Sequence, residues 1–202
     1  MPHAVALLVT GASGMALPRH LLGVLARQSA VERVHLVVSR GASQVLAHEL
    51  GRDRTGAEAL VEAAGLDGAA RDRIAIHRDN ELDAPIASGS VRLAATIVLP
   101  ASSGTVGAFA TGIADTLIHR AGAVALKERW PLLLGFRETP LALVHLENLR
   151  TLTYAGAVVV PPIPAFYVGG ESMERFLDAY CQRLLDLAGL GPAGPGLRWS
   201  TE

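Results

Sequence analysis

Cysteine is almost absent from this sequence, and so are the features of secreted and membrane proteins. Cys181 is the only cysteine, so no disulfide can form within the chain, which argues against an oxidised secreted scaffold. The start of the chain lacks the basic segment of a signal peptide, and no apolar run reaches the roughly 18 residues that span a bilayer. We therefore expect a cytoplasmic protein with no membrane partner.

Net charge and aromatic residues are also scarce. The formal net charge is -1, so the sequence predicts no broad basic surface and no nucleic-acid partner. Aromatics make up 4% of the chain, whereas 50% of the residues are hydrophobic, a composition that suits buried parallel strands covered by helices. The mean hydropathy of +0.33 is high for a soluble monomer. We therefore expect buried subunit interfaces and a homo-oligomer.

Apolar runs and helical patterns alternate along the chain. The predicted strands are Ala4–Val9, Arg33–Ser39, Arg73–His77, Ala95–Leu99, Pro131–Phe136 and Val158–Val160. The predicted helices are Pro18–Gln28, Ala42–Leu50, Val106–Asp115, Leu117–Lys127, Leu141–Tyr154 and Glu171–Ala188. Asp53–Asp72 has no clear pattern, and Asn80–Ser90 is predicted to be a loop. The alternation predicts an α/β fold in a single domain over residues 1–202, with a parallel sheet and helices on both faces.

The turns that follow the strands are the expected position of a ligand, because open parallel sheets bind ligands beyond the carboxyl ends of their strands. The first turn, Gly11-Ala12-Ser13-Gly14, joins a strand to a helix, and its small residues let backbone N–H groups approach an anion. A tight turn without a ligand is the alternative. The pattern is not G-x-G-x-x-G, and Ser39-Arg40 stands where a dinucleotide site has an acid, which favours a phosphate-bearing mononucleotide over NAD.

Two further turns could hold a phosphate or the polar edge of a ligand. Pro100–Thr105 is rich in hydroxyls, although Ser102 or Ser103 could equally be a helix N-cap. Arg137 follows the fifth strand and could clamp a phosphate, although an Arg137–Glu138 surface pair is the alternative. The sequence has no P-loop, no G-x-S-x-G and no H-E-x-x-H, and its histidines lack metal-ligand spacing. We therefore expect no ATPase, hydrolase or metal site.

Taken together, the motifs resemble the UbiX-like flavin prenyltransferases from Thr10 to Asp186. The resemblance rests on four stretches, Thr10-Gly11-Ala12-Ser13-Gly14, Leu126-Lys127-Glu128-Arg129, Arg137-Glu138-Thr139-Pro140-Leu141 and Pro161-Pro162-Ile163-Pro164-Ala165-Phe166-Tyr167. It implies a Rossmann-like (or flavodoxin-like) subunit that binds FMN and assembles into a homododecamer. It also implies transfer of a dimethylallyl group, from the monophosphate or the pyrophosphate, to N5 and C6 of reduced FMN, and delivery of the prenylated FMN to a UbiD-type decarboxylase.

The resemblance also implies roles for individual residues. The FMN-binding positions would be Gly11, Ala12, Ser13, Ser39, Ser102, Ser103, Gly104, Thr105 and Arg137. Tyr167 and Arg183 would bind the dimethylallyl phosphate, and Lys127 and Glu138 would complete that pocket, partly from a neighbouring subunit. Arg120 and Trp199 are further substrate-binding candidates. The catalytic positions would be Glu49, Glu138, Ser13 and Lys127, with Glu49 or Glu138 as the base that takes the proton released at C6.

The sequence departs from this family at three positions. Ala101, Gly104 and Trp130 stand where the family usually has a cysteine, a lysine and often an arginine. Two alternative functions therefore stay open. One is an FMN-dependent cysteine decarboxylase, whose loop resembles Pro100–Thr105 but whose Pro-x-Met-Asn motif has no equivalent near Pro161. The other is a non-catalytic FMN-binding protein.

Overall fold

The structure is a computed structural model that describes residues 3–51, 53–166 and 172–191. Two of the predicted substrate-binding residues, Tyr167 and Trp199, lie outside these ranges. The strands are β1 His3–Val9, β2 Val31–Val38, β3 Ile74–His77, β4 Ala95–Ala101, β5 Leu132–Phe136 and β6 Val158–Val159. The helices are α1 Ala16–Arg27, α2 Arg40–Leu50, α3 Gly56–Ala63, α4 Gly68–Asp72, α5 Ser103–Thr111, α6 Leu117–Glu128, α7 Leu143–Tyr154 and α8 Met173–Leu187.

All six strands form one sheet in the order β3-β2-β1-β4-β5-β6, and every neighbouring pair is parallel. This is the strand order of the doubly wound Rossmann arrangement. The direction of winding reverses between β1 and β4, where Val5 pairs with Ala95 and Leu8 with Val98. A crevice therefore opens beyond the carboxyl ends of these two central strands.

The core lies on both faces of the sheet because the side chains of each strand alternate. On β1, Val5 and Leu7 pack against α1, α2, α3 and α8, whereas Ala6 and Leu8 pack against α5, α6 and α7. The prediction of a parallel sheet covered by helices on both faces is confirmed. The extent of the domain, residues 1–202, stays a prediction.

Several helix boundaries differ from the prediction. Helix α5 begins at Ser103 rather than Val106, because the Ser102 side chain accepts a hydrogen bond from the Thr105 amide and starts the helix three residues earlier. It ends at Thr111 rather than Asp115, because Gly112 adopts a left-handed conformation with φ 76°. Among the described residues, α8 begins at Met173, and Ser172 caps it through the Arg175 amide.

Two segments without a predicted structure contain short helices. Asp53–Asp72 forms α3 and α4, and the buried residues Leu60 and Val61 of α3 pack against the α1 side of the core. The predicted loop Asn80–Ser90 contains a single 3₁₀ turn at Pro85–Ala87. Within the described part of the chain, no helix is both long and apolar enough to cross a bilayer.

Candidate functional site

The predicted ligand-binding turns lie side by side along the edge where the strands have their carboxyl ends, called the carboxyl edge below. The Ser39 amide donates to the Val9 carbonyl at 3.0 Å, which places the turn after β2 beside the turn after β1. The Arg137 amide donates to the Ala101 carbonyl at 3.4 Å, which places the turn after β5 beside the turn after β4. The sheet therefore brings four separate sequence motifs to one edge.

The first turn passes very close to the start of α2. A Cβ atom on Gly11 would lie 3.1 Å from Cα of Gly41, so a side chain at Gly11 would push the two segments apart. Ser39 is the N-cap of α2, and its Oγ accepts from the Ala42 amide at 3.1 Å. In this conformation Gly11 allows the close approach and Ser39 organises the neighbouring helix.

Glu49 occupies the N-terminus of α1. Its Oε1 accepts from the Gly14 amide at 2.9 Å, and its Oε2 accepts from the Met15 amide at 2.7 Å. These amides begin a helix, whose dipole favours a negative charge in this position. The sequence predicted that amides of the first turn bind an anion of a ligand. The Gly14 and Met15 amides instead bind the carboxylate of Glu49.

The surroundings of Glu49 keep it ionised. Burial alone would raise its pKa, but hydrogen bonds from the Gly14 and Met15 amides and from Ser13, together with the charge of Arg137, lower that pKa below its usual value. Ser13, Glu49 and Arg137 thus form one electrostatic cluster. This agrees with their assignment to one site, although their individual roles stay predictions.

Arg137 lies beside the first turn, and its Nε–H donor is not used by the described residues. A Cβ atom on Gly14 would lie 3.4 Å from Cδ of Arg137, so the arginine stem packs against this glycine. The Nε atom of Arg137 is buried and has no hydrogen-bond partner within the described ranges. A buried guanidinium donor without an acceptor is costly, so this group is suited to a ligand oxygen.

The turn after β4 contains a helix cap, followed by open space beside the first amides of α5. Ser102 Oγ accepts from the Thr105 amide at 3.4 Å and lies 3.0 Å from Thr105 Oγ1, so the predicted N-cap alternative is correct for Ser102. Ser103 and Gly104 are the first two residues of α5, where amides have no acceptor within a helix. A Cβ atom on Gly104 would meet nothing within 4 Å, which leaves space next to these amides.

The predicted substrate-binding residues are more dispersed in a single chain. Lys127 lies at the end of α6, which returns to the amino edge of the sheet, where the Thr96 amide donates to the Pro131 carbonyl at 2.8 Å. It forms an ion pair with Glu128 and lines a cavity of about 790 Å³ with Trp130 and Tyr154. Lys127 therefore lies at the edge of the sheet opposite Arg137. The prediction that it serves a site in a neighbouring subunit is compatible with this position and stays a prediction.

Three other candidates are exposed. Arg183 lies on the outer side of α8, and Arg120 donates from Nε to the Ala87 carbonyl at 3.2 Å. Glu138 follows Arg137 along the carboxyl edge, and its Oε1 accepts from the Thr139 amide at 3.0 Å. The chain alone does not show these side chains converging on Arg137. No group of three or more metal-ligating side chains occurs in the part of the chain that the structure describes.

Sequence reasoning missed the part played by Thr10. Its hydroxyl is buried and links the first turn to the turn after β4. The available signal was a threonine between an apolar strand and a glycine turn, a position where a hydroxyl must find a partner. That partner comes from a segment about 90 residues away, so the sequence alone could not identify it.

Comparison with known proteins places this geometry in a family. The profile of the Flavoprotein family matches residues 1–180. The flavin prenyltransferase UbiX of Pseudomonas aeruginosa is 37% identical over 203 residues, which cover 100% of this chain and 96% of that relative. The chain belongs to the UbiX family of flavoproteins.

Two solved structures of UbiX-type proteins resemble the present one. The crystal structure of AnUbiX (PadA1) in complex with FMN and dimethylallyl pyrophosphate matches with a TM-score of 0.85 and 36% identity, covering 100% of both chains. A dodecameric FMN-dependent UbiX-like decarboxylase from Escherichia coli matches with a TM-score of 0.82 and 34% identity, covering 98% of this chain and 99% of that chain. The UbiX fold therefore extends over essentially the whole chain.

Proposed function

We propose that this UbiX family member is a flavin prenyltransferase, which transfers a dimethylallyl group from dimethylallyl phosphate or pyrophosphate to reduced FMN. The observation that carries the proposal is that Ser13 and Arg137 both act on the Glu49 carboxylate at the turn after β1. The Arg137 amide also donates to the Ala101 carbonyl, at the turn that leads into α5. The relatives support it, since one is named a flavin prenyltransferase and another was solved with FMN and dimethylallyl pyrophosphate.

We assign the FMN phosphate to the N-terminus of α5. The amides at the start of α1 already bind Glu49, whereas Ser103 and Gly104 begin α5 with amides that lack helical acceptors. Arg137 adds a positive charge and a buried Nε donor. The flavin ring then lies against the turns that contain Gly11, Ala12, Ser13 and Ser39. Gly104 leaves this site wider than a residue with a side chain would, because the space where its Cβ would lie is empty within 4 Å.

The charges of the chain suit the two halves of the transfer. Reduced FMN supplies nucleophilic ring atoms when it is bound. The allylic C–O bond breaks and its electron pair leaves with the phosphate, whose growing negative charge is stabilised by Arg137, with Lys127 and Arg183 as further candidates. Ring closure releases a proton, and Glu49, which is ionised at neutral pH, is the first candidate to accept it, although its lowered pKa makes it a weaker base than an ordinary glutamate. Glu138 is the second candidate for this role.

Assembly into an oligomer completes the proposal. Helix α7 exposes apolar side chains, with Leu143 72% and Val144 59% exposed, and Tyr154 at its end is 84% exposed. Exposed apolar area of this kind favours burial against other copies of the chain. The E. coli relative is dodecameric, and in a similar assembly of this chain we expect Lys127 of one copy to lie near the carboxyl edge of another. Delivery of the product to a UbiD-type decarboxylase and a cytoplasmic location stay predictions.

Mass spectrometry of the flavin tests the proposal directly. The purified protein is incubated under anaerobic conditions with reduced FMN and either dimethylallyl phosphate or dimethylallyl pyrophosphate. A flavin that gains one dimethylallyl unit supports the transferase, and the faster donor identifies the substrate. Glu49→Gln and Arg137→Ala should slow the reaction by at least about tenfold, whereas Glu32→Gln, on the exposed part of β2, is the control.

Three other results would contradict the proposal. FMN that binds and stays unchanged with both donors would indicate a non-catalytic flavoprotein. Loss of carbon dioxide from a peptide that ends in cysteine, without prenylation, would indicate the cysteine decarboxylase alternative. A protein that binds no FMN at all would exclude each of these functions.

A further inference from the structure

The hydroxyl of Thr10 is buried and makes two hydrogen bonds to one distant segment. Thr10 is 1% exposed. Its Oγ1 donates to the Pro100 carbonyl at 2.7 Å and accepts from the Ser102 amide at 2.8 Å. A single hydroxyl therefore satisfies a backbone acceptor and a backbone donor two residues apart, which fixes both the direction and the position of this segment.

These hydrogen bonds lie where the regular pairing of β1 and β4 ends. The ladder between the two strands runs from Val5–Ala95 to Leu8–Val98. Beyond it, the Thr10 amide donates to the Pro100 carbonyl at 3.3 Å, and the side chain provides the two shorter bonds. Within the sheet, backbone groups join β1 to β4. At the opening of the crevice, the Thr10 side chain continues this connection through its hydrogen bonds to Pro100 and Ser102.

Thr10 is connected to both turns that the proposed function assigns to FMN. The Thr10 carbonyl accepts from the Ala12 amide at 2.8 Å, which shapes the turn after β1. Ser102, whose amide Thr10 binds, is the N-cap of α5. The orientation of Ser102 determines the direction in which the first turn of α5 presents its amides. A shift at Thr10 would thus displace the ring-binding turn relative to the phosphate-binding turn.

We propose that Thr10 is a positioning residue, which sets the separation of the two FMN-binding turns and thereby the affinity for FMN. The proposal rests on the proposed function and deepens it. Thr10 contacts no reacting atom, because both partners of its hydroxyl are backbone groups. Its effect is therefore on binding of FMN, and catalysis by flavin that is already bound should change much less.

The test compares isosteric variants of two buried threonines. Thr10→Val keeps the shape but leaves the Ser102 amide and the Pro100 carbonyl without the hydroxyl. Thr96→Val is the matched control, since Thr96 is also fully buried in the neighbouring strand β4 and its Oγ1 has no hydrogen-bond partner within the described ranges. The FMN dissociation constant should rise by about tenfold or more in Thr10→Val, which corresponds to about 1.4 kcal/mol. It should stay unchanged in Thr96→Val.

Steady-state kinetics and a conservative variant distinguish positioning from general damage. In Thr10→Val the KM for reduced FMN should rise about tenfold while kcat changes by less than about threefold. Thr10→Ser, which keeps the hydroxyl, should restore the FMN affinity to within about threefold of the wild type. If Thr10→Val does not fold, Thr10→Cys provides the same comparison, because a thiol is a weak donor and acceptor.

The possible failures are distinguishable. A wild-type protein that binds no FMN would remove the proposed function itself. A wild type that binds FMN, with Thr10→Val equal to it in affinity, would overturn only the role of Thr10. Equal losses in Thr10→Ser and Thr10→Val would also overturn it, because Thr10→Ser keeps the hydroxyl and the loss could then not be assigned to the missing hydroxyl bonds.

Discussion

The carboxylate of Glu49, at the end of α2, accepts a hydrogen bond of 2.7 Å from the amide of Met15, which immediately precedes α1. Helix α2 begins at Arg40, directly after the turn that follows β2, and the Glu49 side chain in its last turn reaches the start of the neighbouring helix α1. The contact joins two helices on one face of the sheet. It also sets the electrostatics of the site, because a hydrogen bond from Ser13 and the positive charge of Arg137 stabilise the same ionised carboxylate.

Replacement of Glu49 by glutamine should lower stability in a pH-dependent way. Loss of the charge at the start of α1 should reduce the free energy of unfolding by about 1 kcal/mol at pH 7. The pKa of Glu49 is lowered in the folded protein, so its contribution is complete above the unfolded pKa and is lost as the pH falls through the folded pKa. Urea unfolding at pH 7 and pH 3 should therefore show the variant and the wild type converging in acid. A constant difference would contradict this.

A buried histidine pair should make the protein sensitive to mild acid. His35 Nδ1 lies 2.9 Å from His77 Nε2, and burial, followed by the charges of His77 and Arg33, lowers the pKa of His35 to about 4. The unfolded state binds a proton near pH 6.5 and the folded state only near pH 4, so stability should decline as the pH falls through this window. The ring signals of His35 in an NMR titration check this directly. A midpoint near pH 6.5 would refute the assignment.

The single cysteine should be unreactive in the folded protein. Cys181 is fully buried, and burial, followed by the charge of Asp178, raises the pKa of its thiol to about 12. Since the thiolate is the reactive form, a disulfide reagent should modify the native protein only as fast as it unfolds. The thiol should react at once in strong denaturant. Rapid modification of the native protein would show that the α1–α8 packing opens locally.

Gly135 should not tolerate a methyl group. A Cβ atom there would lie 2.4 Å from Leu99 Cδ1 and 2.9 Å from the Tyr180 hydroxyl, which itself donates to the Val160 carbonyl. Gly135→Ala should lower the free energy of unfolding by about 1–3 kcal/mol through overpacking. Gly104→Ala is the control, because a Cβ on Gly104 meets nothing within 4 Å. Thermal unfolding of both variants measures the difference, and equal stability of the two would contradict the packing described.

The strands were predictable because each is a run of buried apolar residues, and the run itself is the signal. β1 and β4 differ from their predicted bounds only at their ends, at His3 and at Ala101. The start of α5 was less predictable, because Ser102 and Ser103 are equally good caps in sequence. In the structure the cap is Ser102, whose amide donates to Thr10, the residue directly after β1.

The site was predictable as a set of motifs but not as an arrangement. The turns containing Ser13, Ser102 and Arg137 were expected at one edge, because parallel strands end together. The docking of Glu49 on α1 was not expected, since it depends on the length of α2 and spans about 35 residues. Lys127 could not be positioned from one sequence, because the pocket that it is proposed to complete is partly formed by another copy of the chain. Tyr167, the proposed partner of Arg183, lies outside the described residues.

The position of Lys127 at the amino edge, opposite Arg137, has a genetic consequence. A strand the length of β5 separates these edges by about 15 Å or more, so one polypeptide does not present both side chains to the same small molecule. If both serve one reaction, chains inactivated at Lys127 and chains inactivated at Arg137 should regain activity when they are co-expressed, because mixed assemblies then contain some pockets with both residues intact.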